Sequence, residues 1–250
     1  MPPGAQAIEI ERGDAQVRGW IFDPIGEPRG TVLMLHGIRS DKRHLVNGAR
    51  DHAARGLRAI AIDSRGHGES AGRYLTYGVE EALDLVQLVD ALEQRGLLAK
   101  PLSVVGSSYG GATALQYAAR DPRVDRVVAL APFASLREVV PAYIAWKLGR
   151  LALLVPSPLI DDLLDGATGQ AAFDADAACP RCVAPAIKAS VLLIHSRDDE
   201  RIPWQHSVAI QRALRSPVEL MLVDGADHVS TGNGAAVAAK IDRFLHPARN

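Results

Sequence analysis

The sequence is nearly without cysteine: Cys179 and Cys182, in the segment CPRC, are the whole supply. Two cysteines exclude a disulfide framework. A four-ligand structural zinc site is unsupported too, because no second CxxC or HxxxH accompanies this one. A redox pair normally follows a strand in a βαβ pattern, and this pair precedes a strand late in the chain. The plainer reading is two thiols in a loop or at a helix start. Long hydrophobic runs are also missing. The most apolar stretch, Ile144 to Ile160, is broken by Lys147, Arg150, Pro156 and Pro158, which argues against a membrane span. The opening MPPGAQAIEIERGD has no basic start, apolar centre and cleavage site of the secretory kind, so the expectation is a cytoplasmic protein. Charge of one sign is absent as well. A formal net charge of −1 leaves no global field to attract nucleic acid or anionic lipid. The eight histidines are scattered and form no metal-binding run.

What is present is an ordinary globular composition, 48% hydrophobic and 23% charged, in 250 residues. That length suits one α/β domain with room for an insertion. The first two apolar stretches, Ala7–Glu11 and Val17–Phe22, flank Gly13-Asp14 and predict an antiparallel hairpin. Short unbroken runs of Val, Ile and Leu follow at Thr31–Leu35, Arg58–Ile62, Leu102–Val105, Arg126–Leu130, Val191–Ile194 and Val218–Val223. Runs that do not alternate with polar residues belong to strands buried on both faces, which means a parallel sheet. Amphipathic stretches at Lys42–Arg55, Val79–Gln94, Ala112–Arg120, Gln205–Leu214 and Ala235–Phe244 predict helices between most of them. The class is therefore α/β, a mostly parallel sheet with helices on both faces. In such sheets ligands bind beyond the carboxyl ends of the strands.

One connection is too long for a single crossover helix. Between Leu130 and Val191 lie a helical pattern at Leu136–Leu154, the segment VPSP, an apolar stretch Leu159–Leu164 and a Gly/Ala-rich run. The expectation is one domain over residues 1–250 carrying a helical cap insertion at about 133–185. The apolar face Val139, Val140, Ile144, Trp146, Leu148, Leu151, Leu153 and Leu154 either lines an acyl pocket or glues the cap to the core; the pattern leaves both open.

Past the strand Leu102–Val105 comes Gly106-Ser107-Ser108-Tyr109-Gly110-Gly111, then the helix Ala112–Arg120. This is G-x-S-x-G in a strand–turn–helix context. A serine on so tight a turn has a strained backbone, and side chains two positions either side would collide with the neighbouring strand and helix. Ser108 is thus the candidate nucleophile and Ser107 the spacer. The helix start directs free N–H groups and a positive dipole end at it, which favours an oxyanion there. A serine nucleophile needs a base, and the base an orienting carboxylate, in the chain order Ser, Asp or Glu, His for this type of sheet. The next strand runs into His195-Ser196-Arg197-Asp198-Asp199-Glu200-Arg201-Ile202-Pro203, and the last into Val223-Asp224-Gly225-Ala226-Asp227-His228. Each supplies one candidate past a strand end.

The stretches LMLHGIRSDK, AIDSRGHGES, VVGSSYGG, LLIHSRDDERIP and GADHV, spanning Leu33 to Val229, resemble the α/β-hydrolase superfamily, specifically its single-domain esterase- and serine-aminopeptidase-like members. The resemblance implies the acid at Asp199, with Ile202-Pro203 closing its motif and Ser196 standing where the family has glycine. Asp198 is the alternative acid, its plainer role being a turn. The resemblance implies His228 as base, with Asp227 a solvated turn residue. It implies an oxyanion hole made by the backbone N–H groups of Ile38 and Tyr109. His36 is expected to brace the oxyanion loop and His67 a turn; His195 opens the acid loop; His44, His52, His206 and His246 are expected to be solvated. Arg39 and Asp41 are candidates to shape the entrance, and Arg65 is expected to be structural. The implied activity is hydrolysis of a carboxylic ester or related acyl bond in a small molecule, through an acyl-serine intermediate, with no metal or organic cofactor. Amidase, aminopeptidase and acyltransferase chemistry would use the same residues, and a non-catalytic binding protein would lack one of the three. Homo-oligomer formation stays open.

Overall fold

A computed structural model describes residues 1–246. In chain order the strands are β1 (Ala5–Arg12), β2 (Ala15–Phe22), β3 (Thr31–Leu35), β4 (Arg58–Asp63), β5 (Leu102–Ser107), β6 (Val124–Leu130), β7 (Ser190–Ser196) and β8 (Val218–Val223). The helices are α1 (Val46–Ala54), α2 (Val79–Gln94), α3 (Tyr109–Arg120), α4 (Leu136–Leu148), α5 (Ser157–Gln170), α6 (Pro180–Val183), α7 (Gln205–Ala213) and α8 (Ala235–Leu245). The strands form one sheet in the order β1-β2-β4-β3-β5-β6-β7-β8. The β1–β2 hairpin pairs antiparallel with itself and with β4, and every pairing from β4 through β8 is parallel.

The unbroken apolar runs have the cause expected of them. Leu33, Leu35, Ile60, Ile62, Val104, Val127, Val191 and Leu193 point to one side, where Leu85, Leu88 and Leu92 of α2 and Leu115 and Tyr117 of α3 cover them. Their alternates Val32, Met34, Ala59, Ala61, Val105, Val128, Leu192 and Ile194 point to the other, beneath Ala49 and Ala53 of α1 and Val237 and Leu245 of α8. Successive strand residues face opposite ways, so only a sheet covered on both faces makes every position apolar. β8 departs from that expectation. It is the last strand of the sheet, and none of its six residues is fully buried.

Between β6 and β7 the chain is helical, as expected, but the helical pattern over Leu136–Leu154 is interrupted. α4 stops at Leu148, because Gly149 takes a positive φ of 54°, and a tight 3-10 turn carries on through Leu154. The break changes the facing of the residues after it. Val139 is buried, whereas Leu148, Leu151, Leu153 and Leu154 are exposed and do not glue this segment down. Leu136 and Val139 pack inward, joining Ala112, Phe133, Ala178 and Ile202 in a third apolar cluster, with Val140 and Leu164 against it. The two ends of the segment are strapped together: Leu136 N–H donates to Ala178 C=O at 2.9 Å and Arg181 N–H to Ala134 C=O at 3.0 Å. The Arg181–Glu138 ion pair, at 2.6 Å, adds to this neck. Cys179 and Cys182 lie at the start of α6, as expected, but they are joined to each other as a disulfide rather than left as free thiols. Cys179 caps the first turn of α6, which brings the residue three positions on within bonding reach of its sulfur.

Candidate active site

The turn from β5 into α3 is built by close backbone approach. A side chain at Gly106 would stand 2.2 Å from the carbonyl oxygen of Gly110, and one at Gly110 would stand 2.6 Å from the carbonyls of Leu35 and His36. Glycine at both positions lets α3 start directly against the ends of β5 and β3. Between them Ser108 has φ 55° and ψ −118°, a left-handed conformation that costs a non-glycine residue on the order of 1–3 kcal/mol. The Ser108 N–H donates to Leu130 C=O at 2.7 Å, which pins the turn to β6. The strain thus sits on one residue whose neighbours hold it in place.

Three residues predicted from well-separated stretches meet here. His228 Nε2 lies 2.9 Å from Ser108 Oγ, and His228 Nδ1 lies 2.6 Å from Asp199 Oδ2. The carboxylate can only accept, so the Nδ1–H donates to it and Nε2 is left to accept the Ser108 hydroxyl proton. The side chain of Asp199 has no solvent exposure. Burial alone would push its carboxyl up, but hydrogen bonds from His195 and His228 and from the Ile202 N–H outweigh that and hold it well below the usual carboxylate range. Asp198, the alternative acid, turns away and accepts from the Gly225 N–H at 2.6 Å. Asp227 exchanges hydrogen bonds with Ser230 in a turn, as expected of a residue outside the relay.

The loop after β3 lies beside Ser108: a side chain at Gly37 would be 3.8 Å from the Ser108 Cβ. The N–H groups of Ile38 and Tyr109 donate to no other group among the described residues. His36 does brace this loop. It accepts from the Ser64 N–H at Nε2 (3.1 Å), which leaves Nδ1–H to donate to Gly37 C=O (2.8 Å). His67 accepts from the Arg39 N–H at 3.3 Å and lies against the Tyr109 ring, so its part extends from its own turn to the loop. Lys42 ties the far end of the loop to β4. Its backbone N–H and its ammonium both reach the Asp63 carboxylate, and the ammonium sits over the Trp20 ring. Asp41 pairs with Arg43 and caps the short turn at Lys42–Leu45, so it is a structural residue. Arg65 is structural, as expected, gripping Asp84 with two 2.7 Å hydrogen bonds.

Of the histidines expected in solvent, His44 is exposed. His52, His206 and His246 are half-buried. His206 accepts from the Ala134 N–H at 3.2 Å, so α7 packs it under the start of the helical segment. Sequence reasoning also passed over Ser207 and gave His195 only a place in the acid loop. Both are fully buried and hydrogen-bonded to each other. No spacing rule ties residues twelve apart across a loop and a helix start, so a single sequence carries no signal for the pair.

Comparison with known proteins shows the family and the fold. The family model described as serine aminopeptidase, S33, matches residues 26–181. The chain belongs to that family. This S33-family protein is accordingly an α/β serine hydrolase by descent. It is 28% identical over 237 residues to the Bacillus subtilis protein YqkD, covering 92% of this chain and 75% of the other. It is 27% identical over 239 residues to a monoacylglycerol lipase of Mycolicibacterium smegmatis, covering 83% of this chain and 84% of the lipase. Among solved structures, the Pyrococcus furiosus esterase Pf2001 superposes with a TM-score of 0.77 at 23% identity, over 96% of this chain and 91% of the esterase. At that identity the superposition speaks for the fold, an α/β-hydrolase sheet with its N-terminal antiparallel hairpin.

Proposed function

We propose that this S33-family hydrolase cleaves a carboxylic ester of a small molecule through an acyl-serine intermediate, with Ser108 as nucleophile, His228 as general base and Asp199 as its orienting acid. The observation that carries the reading is the unbroken relay from Asp199 Oδ2 to His228 Nδ1 (2.6 Å) and from His228 Nε2 to Ser108 Oγ (2.9 Å). In this mechanism Ser108 attacks the acyl carbonyl while His228 takes its proton. Asp199 keeps the imidazole in the useful tautomer and stabilises the imidazolium. The amides of Ile38 and Tyr109 receive the developing oxyanion, and the start of α3 adds its dipole. His228 then returns the proton to the leaving alkoxide, and water repeats the sequence to free the acyl group.

The same reading makes the chain one domain over residues 1–250, with the helical segment at about 133–185 as a cap over the strand ends. The Arg201 guanidinium over the Trp146 ring, at 4.5 Å from its centre, supports that placement by linking α4 to the acid loop. Amide hydrolysis is the second reading, favoured by the aminopeptidase description of the family. Labelling with a fluorophosphonate followed by peptide mapping tests the core of the proposal. The label is expected on Ser108 and absent from Ser108→Ala; a label elsewhere, or undiminished labelling of that variant, overturns it. Rates on p-nitrophenyl esters, aminoacyl anilides and acyl-CoA thioesters then distinguish ester from amide and transfer chemistry.

A further inference from the structure

The carboxylate of Asp199 is shared between two histidines. His228 approaches Oδ2 from the Ser108 side, and His195, wholly buried at the end of β7, approaches the same oxygen with Nε2 at 3.3 Å. His195 Nε2 also lies 2.8 Å from the Ile202 carbonyl. Both of these partners can only accept, so Nε2 must carry the hydrogen. His195 Nδ1 is then free to accept, and the Ser207 hydroxyl stands 2.7 Å from it as the donor. Ser207 is fully buried as well, so no solvent competes for that contact. The other oxygen, Oδ1, is fixed by the N–H groups of Arg201 and Ile202, each at 2.9 Å. Ile202 is therefore held at both ends of its residue: its N–H binds the carboxylate, and its C=O binds the histidine that also touches that carboxylate.

We propose that His195 is a positioning residue for the acid–base pair: Ser207 sets its tautomer, its Nε2–H holds the Ile202 carbonyl, and through Ile202, whose N–H binds Oδ1, it keeps Asp199 aimed at His228. This rests on the reading of Ser108, His228 and Asp199 given above. His195 touches no reacting atom. It acts by holding Ile202, one of the two backbone donors to Oδ1, with its own ring 3.3 Å from Oδ2, so that Asp199 meets His228 at a fixed angle rather than rotating between partners. A histidine relay is sensitive to such aim, since displacement by about an ångström can cost on the order of a hundredfold in rate.

The test compares His195→Phe, which keeps an aromatic ring but loses both nitrogens, with His195→Gln, whose side-chain amide can present an N–H near the same place. Rates are taken per active site titrated with fluorophosphonate, so that a misfolded fraction does not count. The expected result is a fall of about tenfold to a hundredfold in kcat for the phenylalanine variant, with KM changed less than about twofold, and recovery to within about threefold of wild type in the glutamine variant. A phenylalanine variant with wild-type kcat per site, or two variants equally impaired, overturns the proposal. Nitrogen-15 NMR of the wild-type histidines gives a check that needs no variant to fold: His195 should show the Nε2–H tautomer, and the Nδ1–H tautomer overturns the assignment. Ser108→Ala separates the two levels. If that variant still turns over ester, the reading of the site itself fails; if it is inactive while His195→Phe is unimpaired, only the role of His195 fails.

Discussion

Replacing Asp199 by asparagine should be far more damaging than its small change of shape suggests, and the hydrogen bonds show why. Oδ1 accepts from two backbone N–H groups, those of Arg201 and Ile202. An asparagine must keep its oxygen there, because turning the amide would face its NH2 against two donors. The NH2 therefore takes the place of Oδ2. At that place it meets the Nδ1 of His228, 2.6 Å away in the native protein, and the Nε2–H of His195. His228 can satisfy the new donor only by moving its proton to Nε2, which then faces Ser108 with a hydrogen and cannot accept one. His195, whose Nε2–H is held by the Ile202 carbonyl, offers the new NH2 no acceptor either. The wrong tautomer costs a serine hydrolase roughly ten-thousandfold in kcat, about 5 kcal/mol of barrier, while the fold survives. The assay is kcat on a p-nitrophenyl ester at pH 7 for Asp199→Asn and wild type, with melting temperatures measured alongside. A variant within tenfold of wild type would refute the assignment of Asp199 as the acid, and Asp198 would become the residue to examine.

Three further outcomes follow from other parts of the structure. Gly110→Ala places a methyl 2.6 Å from two backbone carbonyls, which cannot swing aside as a side chain could; a stability loss of about 1–3 kcal/mol by urea titration is expected, with activity lost as the turn shifts, and an unchanged variant would contradict the close approach. Reduction of the Cys179–Cys182 disulfide opens a loop of only four residues, so urea titration should record a loss of about 2 kcal/mol or less, small beside a long-range disulfide. Burial, with smaller contributions from His246 and Arg55, lowers His52 to about 4. The unfolded chain then binds the extra proton first. Stability should be fully present above about pH 6.5, decline as pH falls from there to about 4, and level off below, by at most about 3 kcal/mol. His52→Gln should flatten that part of the curve, and a wild-type curve that is flat between those values would show the ring to be solvated.

Much of the scaffold is legible because its physics is local. Thr31–Leu35 and Val79–Gln94 have the predicted bounds, since a doubly covered strand and an amphipathic helix write their burial into consecutive residues. Ser108 and its flanking glycines are legible for the same reason: the strain and the crowding belong to one short turn. What the sequence hides is set by contacts between distant segments. The edge position of β8 depends on where the chain ends its sheet, not on the apolar content of Val218–Val223. Leu151, Leu153 and Leu154 continue the spacing of α4, yet one glycine conformation at 149 turns them outward. The partners of His195 and His206 arrive with α7 and the start of the helical segment, and nothing in either residue's own neighbourhood names them.

The neck formed by Ala134 with Arg181 and Leu136 with Ala178 has a consequence for how such a protein can change. Because the two ends of the helical segment are fastened to each other, β6 and β7 experience a closed junction of constant span, whatever hangs from it. The segment is therefore a plug in a socket. What β6 and β7 are fastened to is the junction rather than the length of chain above it, and this makes the junction the natural splice point for exchanging the segment.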